Sequence, residues 1–423
     1  MPLNPHRRTA DLYQWYATLA EASFWVPVFF LYLASYLPLD SVLLLEAIYF
    51  FGVVVIEVPS GWFSDRLGRR PTMLIGGVLM ACSHALMFLG PSIASGQTIG
   101  SPLFILFAGA LVLRSGGMAF RSGTDTALHY DALKACGAED EFADREARAS
   151  KRRFYGASMA ALIGGAAAVI DLRLPYVLSF FVAIAIIVVV LGMREPNTGS
   201  TARSKANLLK QTGACVTQLR RGVLLLLFLY AAMMIILNHI PYEFFQPYIE
   251  EVLGASRKNL AMTPLVAGIH VAVTFWIAGQ VGARSIRMKN RIGLWAVLLA
   301  ATVLQAALIS LMWFWVSVPV MALLLLRSCP RALMTAPLNA TVTGAVPTQL
   351  RATYLSMQSL AGRLSFSGVL VLLTMAVPMA AKADWPAIHI QLGVSAIGAA
   401  VCVVLVLLIL AVRGRRDDTI STH

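Results

Sequence analysis

The 423-residue chain is 58% apolar and only 13% charged; soluble domains carry roughly 25% charge, so this chain cannot cover a water-facing surface. Its formal charge of +13 does not point to nucleic acid, because the basic residues fall in short gaps between apolar runs, where they set membrane orientation. A mean hydropathy of +0.73 agrees.

A spanning helix needs ~20 mostly apolar residues, and twelve such runs follow in order. The first six cover roughly 14–37, 40–63, 71–92, 102–128, 151–170 and 175–193. The last six cover roughly 222–250, 259–282, 292–314, 316–341, 352–380 and 386–412. The basic, polar stretch Met1 to Tyr13 and the long run behind it do not read as a cleavable signal. A polar stretch over 194–219 reads as a linker, giving a six-helix bundle over 1–193 and another over 220–423.

One set of loops holds Arg7, Arg8, Arg66, Arg69, Arg70, Arg145, Arg148, Lys151 to Arg153, the linker, Arg284, Arg287, Lys289, Arg291, Arg413, Arg415 and Arg416. The alternate loops hold only Arg173, Arg257, Lys258 and Lys382. The basic side is expected to be cytoplasmic, with both termini inside. The five cysteines, Cys82, Cys136, Cys215, Cys329 and Cys402, have neither metal nor redox spacing.

The halves repeat. Tyr16-Ala17 with Pro27 and Phe30 matches Tyr230-Ala231 with Pro241 and Phe244. Gly61 to Arg70 lines up with Gly282 to Arg291, Leu113-Arg114-Ser115 with Leu326-Arg327-Ser328, and Arg152 and Tyr155 with Arg351 and Tyr354. Transporters built from two repeated halves place their site near the bilayer midplane.

Residues 61–70 read Gly-Trp-Phe-Ser-Asp-Arg-Leu-Gly-Arg-Arg. Gly61 is expected to permit close helix approach, Gly68 a tight reversal, and Asp65 a contact with the positive end of a helix. The stretch resembles the G-x-x-x-D-R-x-G-R-R loop of the major facilitator superfamily. That resemblance implies an all-α fold of twelve membrane helices in two pseudo-symmetric bundles. It implies a cytoplasmic gate in which Asp65 meets the eleventh span near Ala352, and Arg70 pairs with Asp125 or Asp131. Arg66 and Arg69 belong to the same loop. In the second copy, Ile286 and Lys289 replace the acid and the glycine.

Glu57 to Gly61, Ser122-Gly123, Ala127 to Asp131 and Arg351 to Thr353 are similar to a bacterial efflux-type subgroup, resembling drug or metabolite:proton antiporters. The fifth span, with Gly156, Ala160, Ala161, Gly164 and Gly165, resembles the antiporter motif without its central Gly-Pro. The resemblance implies tight packing on the eighth span and proton-coupled export; ordinary small-residue packing is the alternative. Arg114 with Gly116 and Gly117 is similar to an antiporter pattern in the fourth span.

A charge in the bilayer core costs at least ~2.5–3.5 kcal/mol. Arg114 and Arg327 stand at equivalent depths, on spans that line the cavity in the resembled fold. Two opposed arginines suit a carboxylate or phosphate, or each neutralises an acid, Glu21 for Arg114. Arg331 lies one turn from Arg327. Arg121 and Asp125, four apart, are expected to pair. Glu21 and Glu57 are candidate proton carriers, since burial and a neighbouring arginine move a carboxyl in opposite directions. Tyr230, His239, Tyr242 and Glu243 are candidate substrate contacts, with Trp25, Phe29, Tyr32 and Phe245 as an apolar wall. Glu46 is placed near the outer surface with no special role.

No phosphate loop, nucleophile elbow or metal motif is present, so neither an enzyme nor a cofactor is expected. The reading is a monomeric exporter in the bacterial inner membrane. It moves a small anionic or zwitterionic metabolite against protons by alternating access, with lipid as its only other partner. Multidrug efflux and proton-coupled uptake are the rival readings.

Overall fold

The computed structural model describes residues 5–196, 205–220, 222–254, 260–347, 350–376, 378 and 381–420. Their regular structure is helical: α1 Pro5–Ala20, α2 Phe29–Ala34, α3 Leu39–Leu67, α4 Arg69–Ile93, α5 Pro102–Arg121, α6 Thr124–Ala135, α7 Phe142–Ile170, α8 Leu174–Leu191, α9 Lys205–Leu219, α10 Gly222–Gly254, α11 Thr263–Ile292, α12 Leu294–Phe314, α13 Val318–Leu323, α14 Cys329–Ala345, α15 Arg351–Met375 and α16 Trp385–Ile420, with short 3-10 turns. Among the described residues, eleven segments are long and apolar enough to cross a membrane. The first span is interrupted and supplies the twelfth.

Three interruptions depart from the continuous spans expected. The first span leaves the helix between Ala20 and Phe29. Pro27 cannot donate to the carbonyl of Ser23, and Val26 before it is steered away from helical dihedrals. Short turns close the gap, with Ser23 N to Glu21 O at 2.8 Å and Val28 N to Trp25 O at 3.0 Å. The tenth span breaks at Arg327-Ser328, between a turn at Leu324–Leu326 and α14. Pro330, in the first turn of α14, cannot donate to Leu326. The fourth span breaks at Gly123, whose φ of 73° is left-handed. By contrast, α10 runs through Pro241 and Pro247 without interruption. The linker is also more ordered than expected, since α9 occupies its second half.

The chain forms two compact units. The first contains Met1–Asn207 with Ala261–Ala272 and Leu370–Ala383; the second contains Leu208–Leu260, Val273–Val369 and Asp384–His423. Within the first, α4 packs along α5 and α8, α3 along α5, and α1 along α7. Small residues allow this: a Cβ on Gly76 would stand 3.2 Å from the Gly117 carbonyl oxygen, and one on Gly117 3.0 Å from that of Gly76. Within the second unit, α12 packs along α16 and α14, and α10 along all three.

Candidate functional site

Arg114 is 3% exposed, in the middle of α5. Its guanidinium carbon lies 4.1 Å from the centre of the Trp25 ring and 4.5 Å from that of Tyr49. Its carboxylate neighbour is Glu46 of α3, at 3.7 Å, rather than Glu21. The unwound stretch explains the exchange: it brings Trp25 over Arg114, while Glu21 pairs with Arg121 at 3.3 Å. Glu46, expected near the surface, is 4% exposed.

The second unit carries a matching feature. Arg327 is 5% exposed and sits at the break of the tenth span. It donates to Thr274 Oγ1 at 2.8 Å and to the Leu324 carbonyl at 3.3 Å, and lies 4.1 Å over the Phe245 ring. In each unit a buried arginine of the fourth or tenth span therefore stacks on an aromatic ring of the first or seventh. Aromatic faces offer a desolvated guanidinium about 2 kcal/mol or more.

The other candidates in this unit divide. Tyr230, expected to bind substrate, is buried and donates to the Leu298 carbonyl at 2.9 Å, so it locks α10 to α12. His239 Nδ1 lies 2.6 Å from the Ile235 carbonyl oxygen, and its ring is 4.7 Å from that of Phe366. Tyr242 is half-buried beside Phe245, Glu243 is fully buried, and Arg331 is exposed on α14. Phe29, Tyr32 and Phe245 are fully buried, and the Tyr32 hydroxyl donates to the Met87 carbonyl.

Arg121 donates to the Ala20 carbonyl as well as to Glu21. The expected Arg121–Asp125 pair does not form, because the Gly123 break takes the two off a common helix face. Asp125 instead meets Arg153 at 3.3 Å, and Arg153 also holds Glu146 at 2.9 Å. Glu21, Arg121, Asp125 and Arg153 border a cavity of about 200 Å³.

At the gate loop, Arg69 rather than Arg70 pairs with Asp131, at 2.7 Å. Arg70 donates to the Val190 and Leu191 carbonyls at the end of α8. The backbone N–H groups of Arg69 and Arg70 are capped by Glu195, at 2.6 and 3.2 Å. Gly68, with φ of 94°, makes the reversal, and a Cβ there would strike the Glu195 carboxylate. Gly61 is exposed with open space at its Cβ position, so no close approach requires it. Arg66 lies 4.5 Å over Trp62, and Ser60 Oγ donates to the Glu57 carbonyl at 2.9 Å. The side chains of Asp65 and Ala352 lie outside the described residues.

The fifth-span glycines serve two neighbours. A Cβ on Gly165 would stand 2.5 Å from the Pro264 carbonyl oxygen and 2.9 Å from Gly268 Cα, at the start of α11. Cβ atoms on Gly156 and Gly164 would strike the carbonyl oxygens of Thr18 and Phe24 in the first span.

Sequence reasoning passed over Glu195, His84 and Tyr176, and misplaced Glu46 near the outer surface. Glu46 carried a signal, as a lone acid inside the apolar run from Val42 to Val55; intramembrane ionisable groups are functional by default.

No protein-family model matches the chain, and no curated protein matches it. Solved structures do. A mutant of the nucleoside transporter NupG is 14% identical, with 95% of this chain and 100% of that one covered and a TM-score of 0.75. A mutant of the peptide transporter POT in complex with sulfate is 12% identical, with 97% and 95% covered and a TM-score of 0.70. A D-xylose-proton symporter is 13% identical, with 95% and 96% covered and a TM-score of 0.65. These neighbours are transporters of the major facilitator type. The chain has that fold and is a multi-pass membrane protein.

Proposed function

We propose that the chain is a secondary transporter that exports a small anionic or zwitterionic organic solute in exchange for protons. It would work as a monomer in a bacterial inner membrane, by alternating access, with both termini cytoplasmic. One observation carries the reading: two deeply buried arginines meet interrupted spans, Arg114 lying against Trp25 of the unwound stretch in the first span and Arg327 sitting at the break of the tenth. Non-helical backbone at membrane depth is tolerated where it is buried in protein or lines a cavity, and transporters build their sites from such discontinuous helices. Two guanidinium groups favour a solute with at least one carboxylate or phosphate. The close backbone contact of Gly165 with Pro264 and Gly268 supports exchange, because the antiporter resemblance assigns that role to packing between the fifth and eighth spans.

Purified protein in liposomes, with a pH-sensitive dye inside and an imposed pH gradient, tests this. The panel holds citrate, sugar phosphates, aromatic acids and amino acids beside lipophilic cations. An anion or zwitterion that drives protons the opposite way, with the signal reduced at least tenfold in Arg327→Ala, supports the proposal. Protons moving with the solute would assign uptake. A response confined to lipophilic cations and unaffected by Arg327→Ala would assign multidrug efflux.

A further inference from the structure

Inside the first unit, polar groups from four helices and the unwound stretch converge around Arg114. Glu46 comes from α3, His84 from α4, Tyr176 from α8 and Trp25 from the gap between α1 and α2. All but Trp25 are buried. Glu46 Oε1, His84 Nδ1, Arg114 Nε, the Tyr176 hydroxyl and Trp25 Nε1 are all buried without a protein hydrogen-bond partner. The His84 and Tyr176 rings lie 6.4 Å apart, and Tyr32 stacks on Tyr176 at 4.5 Å. Buried polar atoms are rarely left orphaned, and a single site with five of them needs a mobile polar occupant.

One cavity reaches this cluster at His84, and a second meets the first at Arg121. The first, of about 40 Å³, is bordered by Ala20, Ser23, His84, Arg121 and Ser179, enough for about three waters at ~10–15 Å³ each. Arg121 also borders the about 200 Å³ cavity with Glu21 and Asp125. Glu46 lies seven residues after Leu39, so ~10 Å along α3 from its far end.

We propose that Glu46 is the proton-binding carboxyl of this transporter, and that its proton passes through the first unit by way of His84 and the two cavities that Arg121 borders. The coupling rests on the transport reading above; the titration of Glu46 does not. The step is a proton transfer: the Oε–H bond of Glu46 breaks, a water held by the unpaired polar atoms of the cluster takes the proton and hands it on toward His84, and a carboxylate remains beside Arg114 at 3.7 Å. Arg114 from α5 faces Glu46, Tyr176 from α8 lies near both, and His84 from α4 and Tyr49 of α3 lie beside Arg114. Of these only Arg114 is a fixed charge, so the deprotonated pair is neutral and the protonated one leaves a single buried cation.

This sign narrows the solute. An anion held by Arg114 stabilises protonated Glu46 and travels with the proton. Exchange therefore requires a solute whose cationic group takes Glu46 in place of the proton, which selects a zwitterion over a simple anion.

Infrared spectroscopy of lipid-reconstituted protein over a pH series tests the assignment with the proton as the only probe. A carboxylic-acid C=O band characteristic of apolar surroundings should titrate in the wild type and in Glu139→Gln, an exposed-loop control, and vanish in Glu46→Gln. Glu46→Asp should restore a titrating band. If Glu46→Gln does not fold, a band displaced in pH by Glu46→Asp supports the proposal, and an undisplaced one overturns it. A band that persists in Glu46→Gln, or that Glu21→Gln removes instead, overturns it. His84→Ala should leave the band in place and slow solute-driven proton release at least tenfold; an unchanged rate overturns the path. Wild-type protein that shows the band but moves no protons overturns the transport reading alone.

Discussion

At the gate loop, single residues decide the geometry. Gly68 has φ 94° and ψ 164°, a region essentially restricted to glycine. Gly68→Ala adds backbone strain of ~1–3 kcal/mol and drives a methyl group into Glu195. Thermal denaturation in detergent should show a clear loss of stability, and an unchanged melting temperature would remove the strain argument. Glu195→Ala leaves the first N–H groups of α4 without their acceptor and should destabilise by ~0.5–2 kcal/mol, while Glu195→Gln, which keeps an acceptor, should lose less. The motif and its glycine turn were legible in the sequence because both are local. Glu195 was not, because it reaches Arg69 from 126 residues away. The exchange of Arg69 for Arg70 as the partner of Asp131 was also hidden, since adjacent arginines differ only in where the helix start points them.

The elements show the same division. Apolar length places the spans, because the bilayer demands it whatever the packing. Averaged hydropathy is blind to the breaks, which depend on Pro27, Pro330 and Gly123 rather than on mean polarity. The Pro27 break is fixed from outside, with the Phe24 carbonyl resting where Gly164 has no side chain. Gly164→Ala must push backbone against backbone, and overpacking of this kind costs about 1–3 kcal/mol. Gly109→Ala, which meets nothing within 4 Å, should leave the melting temperature near the wild-type value. Equal effects from the two would show that the contact does not hold the first span in place. Pro330→Ala restores the N–H that can reach Leu326 and should let the tenth span close into a continuous helix. Transport should then fall at least tenfold with stability kept or raised. Full transport would mean that the break at Arg327 is incidental.

At the scale of the molecule, the first span fixes the parity of the chain. Among the described residues it is the expected span that yields no segment long and apolar enough to cross by itself: α1 has 16 residues and α2 has six. At 1.5 Å per residue these give roughly 24 and 9 Å, and with the turn between them they match a hydrocarbon core of ~30 Å. Twelve crossings place both termini on one side; eleven would separate them. The basic loops predict which side, since Arg7 and Arg8 share theirs with the arginines near Arg70 and Arg153. In a cysteine-free background, a membrane-impermeant maleimide applied to intact cells should label Gln97→Cys, in the exposed turn between α4 and α5. It should label neither Arg8→Cys nor Ser421→Cys until the cells are permeabilised. Labelling of Arg8→Cys alone among the two would mean that the interrupted span turns back instead of crossing. Labelling of both termini with Gln97→Cys protected would keep the fold and reverse its orientation, so that the basic loops around Arg70 and Arg153 would face outward and the assigned direction of export would reverse with them.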